Sequence, residues 1–463
     1  MHHRAATRVA HLARLASWAL ALAACGFPRP PDLAQCTTAS DCKSPNAPLC
    51  VAGSCVAACQ ANPDCQGVAA MPFCQASSGK CVACLDASAC TADQPVCDTT
   101  ANTCRGCERD DECTSGVCLE AEGRCAAQNE VVFLAEANGA DNAACSSTAP
   151  CATFAAALAA TTPQRYVIHL VGGMYAMSSG VDLTGRRLYI DGTDTVVSAA
   201  QGVTFIATAA GPQITLGRMT IGATGGTAVS TSNNGALELA NVTVTATATT
   251  MGGSLDIRSS KLANVTCSAG GTVHVQGSTV RELDSTNCTL VALANSFFTD
   301  VVSPLISADG GNLVIENNVI ASTEEFTDPL TILHAISGSR FAFNTVVNFS
   351  GVDATATTLS CDGSIDVSSN IFAWHSSATM TTPGCTPHDS LFDELAPANQ
   401  IGSNQQANAS TFFLDLNGKD LHLSAASPAR GLGQSGVVDV DIEGNPRPDP
   451  PGSHPDVGAY EAP

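Results

Sequence analysis

The chain has 463 residues, a length that allows a large hydrophobic core and more than one domain. Its formal net charge of -22 argues against nucleic acid as a partner and against electrostatic binding to anionic lipid. Charged residues make up only 13% of the chain, whereas about 25% is usual in globular domains, and the abundant small residues suit strands with small polar outer faces.

The chain opens with a short leader in which three arginines precede the apolar run Leu15–Ala24. This run is too short to cross a bilayer, and a basic start followed by a short apolar segment is typical of an export signal. The string Leu22-Ala23-Ala24-Cys25 resembles the lipobox of bacterial lipoproteins. The resemblance implies that residues 1–24 are a signal peptide, that the Cys25 sulfur receives a diacylglycerol, and that residues 25–35 form a lipid-anchored tether. An ordinary secretory leader with an incidental cysteine is the competing interpretation.

Residues 36–126 contain sixteen of the 23 cysteines in four similar groups. Each group opens with Cys-x5-Cys and holds two further cysteines, and the groups begin 23 to 25 residues apart. Repeats this short bury too little apolar surface to fold alone, so disulfide bonds must replace a core. Four cysteines allow three pairings, which leaves the connectivity open. The predicted disulfide cysteines are Cys36, Cys42, Cys50, Cys55, Cys59, Cys65, Cys74, Cys81, Cys84, Cys90, Cys97, Cys104, Cys107, Cys113, Cys118 and Cys125.

Metal binding is the alternative for this region. Cys81-x2-Cys84 and Cys104-x2-Cys107 have the spacing of zinc knuckles, but each pair only joins one repeat to the next. Export and the even number of cysteines favour disulfide bonds, so no metal is predicted. Acidic residues before the second cysteine, such as Glu112, are candidate calcium ligands, although turn formation is the favoured role. The region resembles the short disulfide-repeat stalks of surface proteins.

From Val131 onward the cysteines become sparse and apolar residues alternate with polar ones. The clearest copies of the pattern begin 18 residues apart, at Leu237, Leu255, Val273 and Val291. Looser copies begin at Leu188, Ile214, Leu313, Phe341 and Ile365. Each copy predicts a strand, a bend and a strand, and Asn241, Asn295 and Asn317 beside the bends suit a left-handed backbone. A unit that recurs at this period predicts a solenoid of roughly ten parallel coils, since regularly placed hairpin turns are lacking in the sequence.

The two ends of this region are the most distinctive. It opens with Cys145-x5-Cys151, a short helix at Phe154 to Ala160 and a first strand at Val167 to Val171. It closes with Ser427-Pro428-Ala429 and, further on, Arg447 and the string Asp456-Val-Gly-Ala-Tyr-Glu461. The region resembles right-handed parallel β-helices of the pectin-lyase-like type, and its ending resembles that of choice-of-anchor Q proteins, whose β-helix carries a variable membrane or wall anchor. The resemblance implies a right-handed β-helix over 129–430 and a C-terminal cap over 431–463. The chain departs from that family at Arg430, where an acidic residue is usual.

A candidate site follows from stacking the coils, because equivalent positions of adjacent coils lie about 5 Å apart. Glu238, Asp256 and His274 occupy the second position of consecutive copies, and Arg258 and Gln276 lie two residues further along. Such an outer row could perform acid/base chemistry or bind a sugar. The competing interpretation is an exposed ion-pair network in which Arg258 neutralises both carboxylates.

The remaining cysteines are predicted to be structural. Cys145 and Cys151 close a small loop, while Cys267 with Cys288 and Cys361 with Cys385 are separated by about one coil and suit bridges between coils better than nucleophiles. The sequence has no nucleophile elbow, P-loop or His-x3-His pair.

The sequence therefore predicts an all-β lipoprotein in which a disulfide stalk carries a parallel β-helix. Gly26, rather than an aspartate, follows Cys25, which by analogy favours the bacterial outer membrane or cell surface. A non-catalytic binding, adhesion or structural role is the leading function, and a polysaccharide lyase or glycoside hydrolase acting at Glu238, Asp256, His274 and Arg258 is the alternative. The expected partners are membrane lipid through Cys25 and a glycan or cell-envelope component, and not nucleic acid. No cofactor is predicted, with calcium as the one candidate.

Overall fold

The computed structural model describes residues 49–51, 54–56, 58–65, 70–224, 226–300, 304–322, 331–349, 355–357, 359–374, 379–381, 384–393 and 404–462. The chain divides into two compact units, with the boundary between Ala126 and Ala127. The first is a cysteine-rich disulfide region and the second is a parallel β-solenoid of about 9 turns, which confirms the predicted all-β class and architecture. The signal peptide, the tether and the lipidation site Cys25 lie outside the described residues.

The first unit consists of small antiparallel hairpins, whose two strands carry the third and fourth cysteines of a repeat at directly opposed positions. Its strands are β1 (Leu49–Val51), β2 (Ser54–Val56), β3 (Phe73–Gln75), β4 (Lys80–Val82), β5 (Val96–Asp98), β6 (Thr103–Arg105), β7 (Cys118–Leu119) and β8 (Arg124–Cys125). Short 3-10 helices span Asn62–Cys65, Ala87–Ala89, Asp110–Glu112 and Glu120–Glu122. In the three hairpins from β3 to β8, the opposed cysteines do not bond to each other, because each bonds across the repeat to one of its first two cysteines.

The disulfide bonds follow one scheme in the three repeats from Cys59 to Cys125. The first cysteine bonds to the third and the second to the fourth, as in Cys59–Cys74 and Cys65–Cys81. The other four bonds are Cys84–Cys97, Cys90–Cys104, Cys107–Cys118 and Cys113–Cys125. This interleaving resolves the connectivity that the sequence left open. The bonds of the first repeat lie outside the described residues, as do Cys36, Cys42 and the side chains of Cys50 and Cys55.

Within its described residues, the second unit contains the short α-helix α1 (Phe154–Ala159) and 3-10 turns at Gln128–Glu130 and Ala409–Thr411. Its strands, in chain order, are β9 (Val131–Leu134), β10 (Val167–Leu170), β11 (Gly173–Met177), β12 (Val181–Asp182), β13 (Leu188–Ala199), β14 (Phe205–Ala207), β15 (Ile214–Ala223), β16 (Thr227–Ser232), β17 (Ala236–Ala240), β18 (Thr243–Met251), β19 (Ser254–Arg258), β20 (Lys261–Ser268), β21 (Thr272–Gln276), β22 (Thr279–Thr286), β23 (Leu290–Ala294), β24 (Phe297–Asp300), β25 (Ile306–Asp309), β26 (Asn312–Glu316), β27 (Val319–Ser322), β28 (Thr331–Ala342), β29 (Thr345–Asn348), β30 (Thr355–Thr357), β31 (Leu359–Ser368), β32 (Ile371–Trp374), β33 (Thr379–Thr381), β34 (Leu391–Asp393), β35 (Gln405–Ala407), β36 (Phe413–Asp415) and β37 (Asp420–Leu423). Among the described residues, no helix combines the length and the apolar content needed to cross a membrane.

Each coil pairs in parallel with the next, so equivalent residues are stacked in rows. In one such row, Leu237 of β17 lies opposite Leu255 of β19, Leu255 lies opposite Val273 of β21, and Val273 lies opposite Val291 of β23. These apolar residues are almost fully buried and belong to one continuous core. Burial of an aliphatic side chain of this size contributes roughly 1.5–3 kcal/mol. The 18-residue period of the sequence is therefore the length of one coil.

The bend after these strands has a left-handed residue in successive coils. Asn241, Asn295 and Asn317 have φ values of 56°, 50° and 59°, which confirms the predicted left-handed backbone. Val242 follows Asn241, but from Ser260 to Ser390 the residue after the left-handed position is a buried serine or asparagine. Its side-chain oxygen accepts a hydrogen bond from the equivalent backbone N–H of the preceding coil, and the half-buried Asn404 continues this row. We call this row the bend ladder; its members are Ser260, Ser278, Ser296, Asn318, Asn344, Asn370, Ser390 and Asn404.

The solenoid begins one strand earlier than the sequence predicts. β9 pairs in parallel with β10, and all four of its residues are buried, so that it shows none of the alternation by which strands were identified. The free edge of β9 is covered by the loop that the Cys145–Cys151 disulfide closes, through hydrogen bonds that join Phe133 to both cysteines. Helix α1 follows this loop and places Phe154 and Ala157 in the core.

The C-terminal segment packs against the outside of the last coils. Val457, Ala459 and Tyr460 form a second hydrophobic core with strand residues that include Val347 and Ile371. Backbone N–H groups of this segment donate to the coils, as in Gly458 N to the bend residue Ser369 O at 2.9 Å. We call residues 424–462 the C-terminal cover, because they bury a face of the solenoid that would otherwise be apolar and exposed.

Candidate functional site

The structure brings together the residues that the sequence placed in one row. Glu238 lies directly opposite Asp256, and Asp256 lies directly opposite His274. Arg258 lies opposite Gln276 in the neighbouring row. Strands β17, β19 and β21 present these side chains because the inward positions are occupied by leucine, isoleucine and valine.

Arg258 forms ion pairs with both carboxylates of the row. Its Nε lies 3.1 Å and its Nη2 2.9 Å from the two oxygens of Asp256, and its Nε lies 3.5 Å from Oε1 of Glu238. The hydrogen bonds to Asp256 raise the pKa of Arg258 above its ordinary value. A pair of guanidinium–carboxylate hydrogen bonds of this kind fixes the orientation of both side chains.

Glu238 is the most buried member of the row, with 7% of its surface exposed. Its Oε2 accepts hydrogen bonds from Gln213 Nε2 at 2.6 Å and from Thr215 Oγ1 at 2.9 Å. Both oxygens of Glu238 therefore have partners, and this side chain has a structural role in joining adjacent coils.

His274 is exposed, and in the described part of the chain its ring has no hydrogen bond or ion pair. The next residue of its row is Ala292, so no further acidic group orients the imidazole from the following coil. A general base needs an accepting atom and a group that orients it. The row can offer hydrogen bonds to a polar ligand, and among the described residues no side chain holds the His274 ring in a fixed orientation.

A second charged group, which the sequence analysis missed, lies further along the same outer face. Arg340 stands opposite Asp366 in the row that contains Asp256, and it forms an ion pair with Glu316. The Asp366 carboxylate lies 2.7 Å from Nε2 of His388. A cavity of about 400 Å³ beside this group is lined by Gly338, Ser339, Arg340, Ile365 and Asp366.

His388 lies between two carboxylates, since its Nδ1 is 3.0 Å from Asp389. Burial opposes a charge on this ring, but the hydrogen bonds to Asp389 and Asp366 outweigh it and raise the pKa of His388. Gln434 of the C-terminal cover donates to Asp389 at 2.7 Å. The group therefore also holds the cover to the coils.

The sequence missed this second group because the copy that it predicts from Phe341 is out of register. The structure pairs Ser339 with Ile365, so the copy begins two residues earlier and Arg340 takes its second position. Ser339 stands at an inward position where other copies have leucine, isoleucine or valine, and its hydroxyl accepts from the N–H of Leu313 at 2.9 Å. Asp366 stands at the second position of the copy that begins at Ile365, which was a usable signal.

The C-terminal residues that carry the family resemblance form a buried network. Arg447 donates to the carbonyl oxygens of Asp456 and Gly458 at 3.1 and 2.9 Å, and its Nε lies 3.3 Å from Glu461. Burial lowers the pKa of Arg447 to about 10, and burial raises the pKa of Glu461. Asp441 accepts from the N–H of Glu461 at 3.1 Å. These residues hold the C-terminal cover together and do not face solvent as a ligand site would.

The cysteines of the solenoid are disulfide-bonded, as Cys145–Cys151, Cys267–Cys288 and Cys361–Cys385. The candidate calcium ligand Glu112 is also engaged, because its Oε1 lies 2.6 Å from Arg105 and its Oε2 accepts from the N–H of Glu108. The hydrogen bond from Arg105 is the largest cause that lowers the pKa of Glu112 to about 2.

Residues 30–131 match a protein family that is described as a family of unknown function, DUF8331. The match covers the cysteine repeats and ends at Val131, the first residue of β9. No curated protein matches the chain.

Proposed function

We propose that the chain is an exported bacterial lipoprotein whose β-solenoid binds a glycan or another cell-envelope component without cleaving it. The observation that carries the proposal is the position of Arg258, whose guanidinium contacts both carboxylates of the outer row. This arrangement suits recognition of hydroxyl groups by fixed donors and acceptors, because contacts with Arg258, Gln213 and Thr215 hold both carboxylates in place.

Several features support export and anchoring by lipid. The leader and Cys25 resemble a lipoprotein signal, and Gly26 favours the outer membrane or cell surface. Nine disulfide bonds among the described residues suit an oxidising compartment. In chain order the cysteine repeats stand between Cys25 and the β-solenoid, as a stalk would. A choice-of-anchor Q type of β-helix, with lipid at Cys25 as its anchor, accounts for this order.

The outer face supports a polymeric ligand. Its rows repeat every coil, at about 4.8 Å, and they combine carboxylates, Arg258, Gln276 and His274. The net charge of -22 disfavours a polyanion, so the expected ligand is a neutral or cationic glycan.

Binding is tested with the purified full chain on a glycan array and, in parallel, with a panel of polyuronides in the presence and absence of calcium. We expect a glycan that binds and is recovered intact, with binding weakened in Asp256→Ala and unchanged in Asp284→Ala, a matched exposed carboxylate outside the row. Equal binding by both variants would remove the row from the proposal.

A polysaccharide lyase or hydrolase is the second candidate, and the exposed ring of His274 beside Asp256 favours it. Oligosaccharide release in the same panel, lost in both Asp256→Ala and His274→Ala, would establish the enzyme and overturn the non-catalytic proposal. A requirement for added calcium would then identify the cofactor.

Anchoring is tested separately by metabolic labelling of cells with a fatty acid. The chain should take up label, and Cys25→Ser should not. Protease treatment of intact cells then distinguishes the cell surface from the inner side of the outer membrane. An unlabelled mature chain would contradict the lipoprotein proposal and leave the binding proposal to its own test.

A further inference from the structure

A separate cavity of about 590 Å³ lies in the first coils of the solenoid, between helix α1 and the strands β11 and β12. None of its lining residues belongs to the outer row of Glu238, Asp256 and His274. Cavities of roughly 300–1,000 Å³ with mainly apolar walls and a few polar groups are typical small-molecule sites. Its size therefore suits a ligand other than a polymer that runs along the coils.

The walls of the cavity are apolar and held in place by the core. Helix α1 supplies Phe154 and Leu158, and the opposite side supplies Tyr175, Met177 and Val181. The rings of Phe154 and Tyr175 pack edge to face, with centroids 6.0 Å apart. The Tyr175 hydroxyl donates to Leu134 O at 2.7 Å, and burial raises the pKa of Tyr175, so this wall remains uncharged. A ligand must accordingly present an apolar body to these residues.

The charged groups of the lining are all acidic. Glu136 and Asp182 line the cavity, and no lysine, arginine or histidine does. Glu136 is exposed and makes no side-chain hydrogen bond or ion pair within the part of the chain that the structure describes. Asp182 uses one oxygen to accept from the N–H of Thr184 at 2.9 Å. The cavity is thus electrostatically complementary to a cation.

The positively polarised groups next to the cavity do not favour an anion. The N–H groups of Ala152 and Thr153 at the start of α1 already donate to Asp141, at 2.9 Å each. The adjacent cation Arg186 donates to the carbonyl oxygen of Leu158 at 3.2 Å and is not part of the lining. An anionic ligand would meet the negative charges of Glu136 and Asp182, and the lining offers only neutral donors such as the hydroxyls of Ser178 and Ser179 against that repulsion.

We propose that this cavity binds a small organic cation with an apolar body, in which the apolar part packs between Phe154, Leu158 and Val181 and the cationic group is paired by Glu136 and Asp182. The site is independent of the glycan-binding proposal. The ligand expected in this cavity carries a protonated primary amine or a quaternary ammonium group attached to an aromatic or branched aliphatic group.

The test uses three probes of one shape and different charge on the purified full chain: naphthylethylamine, naphthylethanol and naphthylacetate. Dissociation constants are measured by isothermal titration or by ligand-observed NMR. The amine should bind about tenfold more tightly than the alcohol, and the acetate should bind most weakly. Equal affinity for the three probes, or no binding of the amine, overturns the proposal.

Variants locate the site. Glu136→Gln and Asp182→Asn should each weaken amine binding by about three- to tenfold. Asp284→Asn, which removes the same charge five coils further along the row that contains Asp182, should leave it unchanged. Ala155→Trp fills the cavity from an exposed position of α1 and should abolish binding of all three probes while the unfolding midpoint is retained. An equal loss in Asp284→Asn would mean that net charge alone attracts the amine, which also overturns the proposal.

Discussion

At the scale of single residues, the orientation of Arg258 decides the chemistry of the outer row. The sequence placed Glu238, Asp256 and His274 in one row because a strand has a period of two and the copies have a period of 18. It left open whether Arg258 would turn to those carboxylates or to solvent. The direction depends on the rotamer of Arg258 and on the burial of Glu238. Hydrogen bonds from Gln213 and Thr215 hold the Glu238 side chain below the surface.

Gly458 is a residue at which one added carbon should be costly. Its φ is 89°, and a Cβ there would lie 2.6 Å from Cδ1 of Ile371. We expect Gly458→Ala to lower the free energy of unfolding by about 2–4 kcal/mol, through the sum of backbone strain and overpacking. The measurement is urea unfolding followed by circular dichroism.

Gly452 provides the matched control, because its φ is 91° and its Cβ would meet nothing within 4 Å. Gly452→Ala should lower the free energy of unfolding only through backbone strain, by about 1–2 kcal/mol. If the two variants were equally stable, the contact between the C-terminal cover and Ile371 would not contribute.

Two histidines should make the stability of the C-terminal cover depend on pH. His388 lies between Asp366 and Asp389, and His422 lies 2.6 Å from Asp420 and 3.0 Å from Glu443. Burial opposes the charge, but these hydrogen bonds outweigh it and raise the pKa of each ring above its ordinary value. A raised folded-state pKa gives stability that is complete below the unfolded pKa of about 6.5 and is lost as the pH rises through the folded value.

The free energy of unfolding, measured by urea unfolding, should be lower at about pH 8.5 than at about pH 6. The difference should be less than about 1 kcal/mol for each histidine, because both are partly exposed. His388→Gln and His422→Gln should each flatten this dependence. His274→Gln, which changes an exposed histidine without a partner among the described residues, should not. A pH profile that is unchanged in the double variant would contradict the assignment.

At the scale of elements, the bend ladder joins the coils where sheet hydrogen bonds stop. Each ladder side chain satisfies a backbone N–H that the left-handed bend would otherwise bury without a partner. Asn344 illustrates this, since its Oδ1 accepts from Asn318 N at 3.0 Å and its Nδ2 donates to Ile315 O at 2.9 Å. The sequence showed the left-handed asparagines but not the ladder, because Ser and Asn beside a bend read equally well as ordinary turn residues.

Asn344→Leu keeps the size of the side chain and removes these two hydrogen bonds together with those to the side chains of Asn318 and Asn370. It should lower the free energy of unfolding by about 2–4 kcal/mol, because Asn318 N–H and Ile315 C=O stay buried without partners. Asn344→Ser, which restores the residue type found at Ser278 and Ser296, should cost less. A leucine variant as stable as the serine variant would show that the ladder does not contribute. Thermal unfolding followed by circular dichroism provides the comparison.

At the scale of the whole molecule, the two units are stabilised by different means. In the described part of the first unit, the buried clusters consist of cysteines such as Cys59, Cys65 and Cys74. The solenoid instead has a continuous apolar core that runs from Val132 to Phe392. Small domains that lack such a core depend on disulfide bonds, whereas stacked coils gain apolar burial with every repeat.

Reduction should therefore separate the two units. With dithiothreitol present, limited proteolysis should cleave within residues 49–126 and leave a fragment from about residue 127 onward, because each lost bond costs roughly 2–4 kcal/mol. The oxidised protein treated identically is the control, and mass spectrometry identifies the fragments. Cleavage of the solenoid at the same rate as the repeats would contradict this division.

The sequence by itself determined the division into disulfide-stabilised repeats and a β-solenoid, the parallel stacking of the coils and the members of the outer row. It could do so because cysteine spacing and apolar periodicity are local properties that can be read along the chain. Only the tertiary structure decided the disulfide pairing, the extra strand β9, the register at Ser339 and the lateral position of the C-terminal cover. Each of these depends on which distant surfaces meet. Several pairings or registers satisfy the same local pattern, and packing in three dimensions selects among them.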